Sequence, residues 1–201
     1  MSSSFLKELA QAKPDPGGGA AAAYGAGLAL ALLEKVVRLE ANRRQPDNRL
    51  RLGWEDTLER LRRISETMAR LQDEDVQAYF NLTRSRAAGR GGELLAAVRD
   101  AVLCPLKIIQ QAQEALGLLA WVGDNCKRHL VSDLLVACEF LGAALLGAYH
   151  IACANLHLVQ DLAERQALAR ELARACQPGC ELWQRVKVEL VAREHGLDPR
   201  G

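Results

Sequence analysis

The sequence predicts an all-α protein, a bundle of about six or seven helices around a central apolar helix. Three observations point there. Ala and Leu dominate the 201 residues while aromatics are few and β-branched residues sparse. Apolar residues recur at gaps of three and four over long stretches. No run of residues reads as a convincing strand.

Ser3 or Ser4 is placed to cap a short helix with Phe5, Leu6 and Leu9 on one face. Pro14-Asp15-Pro16-Gly17-Gly18-Gly19 then stops the chain, because two prolines deny it a continuing helix. A second helix follows from Ala20 to about Asn42, apolar as far as Leu33, with Gly25 and Gly27 allowing close helix approach. Residues 43–48 read as a polar break. The third helix runs from about Asp47 to Leu82 on a stripe of Leu50, Trp54, Leu58, Leu61, Ile64, Met68 and Leu71. After a turn at Gly89–Gly92, a fourth covers Glu93 to Val122, with a kink expected at Pro105. The fifth, from Val131 to Asp161, is apolar nearly all round and reads as the central, buried one. Glu164 to His195 is expected as two amphipathic pieces split at Pro178-Gly179.

Composition narrows the function. One domain spanning residues 1–201 fits the length. A formal net charge of +1, with basic residues scattered among acidic ones, leaves no footprint for nucleic acid. Six cysteines stand singly inside helical segments, which suits reduced, buried thiols in a cytoplasmic protein. The N-terminus lacks a charged-then-apolar signal layout, and the fourteen apolar residues Ala20–Leu33 are too few to span a bilayer. The expectation is a soluble, cytoplasmic protein with no membrane partner.

Candidate site residues come from the Gly run and from polar groups in apolar surroundings. Gly17, Gly18 and Gly19 strip side chains from a helix start, where free N–H groups and the positive dipole end can receive a ligand. The spacing is neither a phosphate loop nor a dinucleotide fingerprint, and a Gly run before a helix is also what a plain loop looks like. Ser132 and Asp133 open the fifth helix, and Asp133 is either a first-turn acid on the dipole or a functional carboxylate. Asn155, near the other end, must be hydrogen-bonded if buried, as a structural staple or a ligand contact. The 22 residues between Asp133 and Asn155 amount to about six turns, so both share a face but lie about 33 Å apart. One small ligand cannot reach both on a straight helix, so a shared site requires a second copy and hence a homodimer. His150 and His157 are two turns apart, and Cys176 and Cys180 lack neighbouring His, so no metal site is expected.

Six motifs together resemble the cyclodeaminase/cyclohydrolase family: Phe5-Leu6-x-x-Leu9, Pro14-x-Pro16-Gly17-Gly18-Gly19, Asp75-x-x-Ala78-Tyr79, Pro105-Leu106, Ser132-Asp133-x-x-Val136-Ala137 and Gly147-Ala148 with Asn155-Leu156. They cover about residues 3–162. The resemblance implies an all-α dimer acting on tetrahydrofolate that carries a one-carbon group, as a methenyltetrahydrofolate cyclohydrolase or a formiminotetrahydrofolate cyclodeaminase. It implies no cofactor beyond the folate substrate. Asp133 or Asp75 would stabilise the cation and shuttle a proton, Asn155 would bond the pterin edge, and Gly17–Gly19 with Ser132 would bind substrate. The chain departs from the family pattern at Ile151, where a second Asn is usual, and at Cys126-Lys127, where Gly-Asn is usual. Those departures favour as alternative a paralogue that binds folate or another small ligand without the chemistry. The third reading is a helical interaction protein in which Gly17–Gly19 and Asn155 are only structural.

Overall fold

The computed structural model describes residues 3–43, 47–88 and 91–197. The predicted break at 43–48 and the turn at 89–92 fall partly outside these residues. Six α-helices and one short 3-10 turn make up the described chain, with no strand among the described residues. They are α1 (Ser3–Leu9), α2 (Gly18–Ala41), α3 (Asn48–Ala88), α4 (Gly91–Asn125), α5 (Val131–Leu156) and α6 (Leu162–Glu194), with the 3-10 turn at Arg128–Leu130.

Successive long helices run antiparallel, as named side-chain contacts show. Asp75 of α3 reaches the start of α2, while Trp54 at the other end of α3 packs edge-on against Trp121 of α4. Asn155 near the end of α5 meets Ala101 near the start of α4, and Lys35 late in α2 pairs with Asp133 early in α5. α2, α3, α4 and α5 therefore close an up-down ring, and α6 lies along α4 and α5. α1 docks by stacking Phe5 on Tyr24, with ring centroids 4.6 Å apart.

Close helix approach rests on specific glycines. A Cβ at Gly142 would stand 2.2 Å from the Trp183 ring, and one at Gly53 would stand 2.6 Å from Trp121. At the C-terminal end of the ring, Arg128 donates to the carbonyl of Glu194 and Arg193 to that of Cys126, so cations meet helix-end carbonyls. Buried Glu40 accepts the N–H of Lys127 at 3.2 Å and ties the end of α2 to the same corner.

Two features differ from the sequence reading. The expected split at Pro178-Gly179 is absent, and α6 is one helix through Pro178. Pro178 is exposed, so its missing N–H costs no buried bond, and Leu172, Cys176, Gly179 and Val186 stay on one buried face across it. Gly179 lets Leu145 of α5 come in, where a Cβ would lie 2.4 Å from Leu145 Cδ1. Asp161 caps α6 by accepting the N–H of Glu164 at 2.7 Å, so the segment expected to extend α5 starts the next helix.

The second feature is α5. It packs between α2, α4 and α6, but its apolar surface is not buried all round: Val136 and Phe140 are 48% and 38% exposed. Leu28 and Leu39 of α2 are exposed as well. α2 is 24 residues long, and α2 and α5 are each long and apolar enough to cross a bilayer, although half of each apolar stretch is buried inside the bundle.

Continuity at Pro178 is open to a direct check. Pro178→Ala restores an N–H to an intact helix and should raise stability, by up to about 3 kcal/mol. A rise in thermal midpoint supports one helix; an unchanged midpoint indicates a break.

Candidate functional site

The start of α2 explains the three glycines. Asp75, on the facing turn of α3, lays its carboxylate across this helix start, with Oδ2 accepting the Ala20 N–H at 2.8 Å. Any Cβ at Gly19 would stand 2.1 Å from Asp75 Oδ1, so only glycine admits the carboxylate there. A Cβ at Gly18 would stand 2.8 Å from Ile151 Cδ1 of α5. Asp75 is thus a helix cap supplied from another helix, since Gly17 at the N-cap position offers no side chain.

A second pairing sets Asn155. Pro105 has no N–H, so within α4 the carbonyl of Ala101, four residues earlier, loses its helical donor. Asn155 Nδ2 donates to that carbonyl at 2.7 Å. This bond fixes the amide plane and leaves Oδ1 as an acceptor. α4 runs unbroken through Pro105 because the orphaned carbonyl is satisfied by α5.

Between these groups lies a cavity of about 200 Å³ lined by Asp15, Gly17–Gly19, Asp75, Tyr79, Ala101, Ile151 and Asn155, among others. Asp15 also lines a neighbouring hollow of about 450 Å³ between α1, the loop and α3. Burial pushes the Asp75 carboxyl above the usual carboxylate range; the Ala20 N–H pulls it down and the nearby Asp15 charge adds to the rise. Burial also raises Asp15, while Lys13 opposes the rise. The Cys104 thiol is pushed up to about 12, first by burial and then by Asp75, so it is no nucleophile at neutral pH. The groups available here are a half-buried carboxylate for proton transfer, an oriented amide and backbone N–H donors.

The structure brings together Gly17, Gly18, Gly19, Asp75 and Asn155. It does not bring Ser132 and Asp133 to them. Asp133 sits in the first turn of α5, paired with Lys35 Nζ at 2.7 Å and partly exposed. Ser132 lines a separate open hollow with Lys127, Arg128, His129 and Glu194. Another hollow, of about 590 Å³, lies at that same end between α4 and α6. Sequence reasoning missed Asp15, passed over as part of a proline break, and the Pro105–Asn155 bond. A proline inside a helix together with a lone Asn in an apolar helix was the available signal for that bond.

With this arrangement in view, comparison with known proteins is decisive for kinship. The formiminotransferase-cyclodeaminase family model matches residues 1–174. The chain belongs to that family. A methenyltetrahydrofolate cyclohydrolase of Methylorubrum extorquens is 26% identical over 154 residues, covering 72% of this chain and 70% of that protein. The mouse formimidoyltransferase-cyclodeaminase is 30% identical over 174 residues, and the match spans 78% of this chain but 30% of the mouse protein. The crystal structure of a formiminotetrahydrofolate cyclodeaminase from Thermotoga maritima superposes with a TM-score of 0.87 at 23% identity over 94% of each chain, which establishes the shared fold. Among the described residues, no three His, Cys, Asp or Glu side chains cluster to hold a metal ion.

The raised Asp75 carboxyl gives a stability prediction with a definite sign. The folded state holds this proton to higher pH than the unfolded chain, so the group favours folding at low pH and loses that contribution as pH rises through its folded value. Asp75→Asn keeps an acceptor for Ala20 without the half-buried charge. Its stability relative to wild type should therefore improve as pH is raised from about 4 to 7, read from melting midpoints. Asp75→Ala, which removes the cap, should cost about 0.5–2 kcal/mol.

Proposed function

We propose that the protein is an enzyme of folate one-carbon metabolism, a methenyltetrahydrofolate cyclohydrolase or formiminotetrahydrofolate cyclodeaminase. The carrying observation is that, in a chain of this family, Asp75, Asn155 and Gly17–Gly19 converge on one cavity. A volume of about 200 Å³ suits the reacting head of a folate rather than the whole molecule.

The chemistry follows from the residue types. In cyclohydrolysis, water adds to the cationic methenyl carbon and the bond to N5 breaks, giving the 10-formyl compound. In cyclodeamination, N10 attacks the formimino carbon, and ammonia leaves as the methenyl bridge closes. Both routes pass through a tetrahedral carbon and need a proton moved at the attacking atom. Asp75, raised by burial, is suited to accept that proton and to balance the delocalised cation. Asn155 Oδ1 would accept from a pterin N–H. The N–H groups of Gly18 and Gly19, which have no hydrogen-bond partner among the described residues, would face a ring carbonyl. The tetrahydrofolate derivative is substrate, and neither route calls for a metal or redox cofactor.

The working form is a homodimer joined through the α2–α5 face. Leu28, Val136 and Phe140 are exposed there, and Gly25 and Gly27 have no atom within 4 Å of a Cβ position. A mid-helix glycine facing open space costs about 0.5–1 kcal/mol relative to Ala, a cost explained if a second copy packs against it. Antiparallel packing of α5 on α5 would carry Asp133 of the second copy toward Asn155 of the first. A non-catalytic paralogue is the second reading, favoured by Ile151, whose Cδ1 lies over Gly18 where the family pattern has an amide.

Absorbance assays with methenyltetrahydrofolate and with the formimino compound test the proposal. Turnover of either supports an enzyme; binding without turnover supports the paralogue. In an active protein, Asp75→Asn should lower kcat by roughly 10²–10⁴-fold while the fold persists. Gly25→Leu should leave the protomer folded but shift light-scattering mass from dimer toward monomer. A wild type that is monomeric at micromolar concentration would remove the shared-site idea.

A further inference from the structure

The cavity has a charge imbalance that the helix start alone does not explain. The N-terminus of α2 would by itself favour an anion. Asp75 already occupies that position, accepting the Ala20 N–H and neutralising the dipole end. Asp15 is then a second carboxylate on the wall of the same cavity, and none of the lining residues is a cation. Asp15 is half-buried and lines both the small inner cavity and the larger neighbouring hollow. Lys13, the cation whose charge acts on it, lines the outer hollow and not the inner cavity.

We propose that Asp15 is a specificity residue that selects a cationic one-carbon head, a delocalised N–C–N cation, over a neutral one. This rests on the folate reading above. Asp75 serves the helix start and the reacting carbon, and Asp15, which has no part in the proton transfer, adds a second carboxylate facing the ligand. The methenyl bridge and the protonated formimino group are both such cations, whereas the 10-formyl product is neutral at that carbon. A carboxylate on the cavity wall therefore holds substrate more tightly than the product of hydrolysis.

The test uses the full chain and two folates of opposite character at the reacting carbon. Asp15→Asn should raise KM for 5,10-methenyltetrahydrofolate about threefold to tenfold, the scale of a part-exposed ion pair, with kcat within about twofold of wild type. Its affinity for 5-formyltetrahydrofolate, neutral at that position, should not change. Asp15→Glu, which keeps the charge, should restore most of the lost KM. Equal weakening toward both folates would overturn the proposal by making Asp15 a shaping residue, as would no change toward either. A wild type that binds and turns over neither folate would instead overturn the underlying folate assignment, and the selectivity with it.

Discussion

The bond between Asp75 and the first turn of α2 is the constraint on which the rest depends. It joins a half-buried carboxylate to a helix start that has no cap of its own, and its geometry admits no side chain at Gly19. A glycine run that is locally unfavourable for helix formation thus begins a long helix. α3 must lie antiparallel to α2 to deliver the acid, and α5 must close over Gly18 through Ile151. The cavity is what remains between α2, α3, α4 and α5, the four helices that meet at that point.

The second support is the exchange between Pro105 and Asn155. Proline removes a donor from α4, and the asparagine of α5 replaces it from outside. The helix stays whole, and a side-chain amide is held in one orientation at the cavity wall. The far end of the bundle is organised differently. There Glu40, Arg128 and Arg193 pair with backbone groups at helix ends, and Lys35 pairs with Asp133. One end of the ring is locked by charged side chains on backbone groups and on each other, and the other carries the half-buried acid.

Much of this was legible in the sequence because apolar spacing is a local property. α3 follows its stripe of Trp54, Leu61, Ile64, Met68 and Leu71, all buried. Gly17–Gly19 and Asn155 stood out because each is a poor local choice that needs a tertiary reason. What spacing does not encode is partnership across helices. By residue type Asp133 stood first and Asp75 next, and only the antiparallel order of the helices brings Asp75 and Asn155 to one cavity. Pro178 misled for a related reason: local propensity marks a break, but the buried faces on either side hold the helix straight through an exposed proline. Asp15 was overlooked because its neighbours, two prolines and three glycines, describe backbone and not chemistry.

The central claim is that the reacting head binds at the Asp75 end of the bundle, and backbone amide NMR tests it most directly. The Ala20 N–H reports the state of Asp75 through their shared hydrogen bond. Titrating 5-formyltetrahydrofolate into nitrogen-15-labelled protein should shift the amides of Gly18, Gly19 and Ala20 first and furthest. Ligand shifts confined to the amides around Ser132 and Asp133, with Ala20 unmoved, would contradict the account and place the site at the other end.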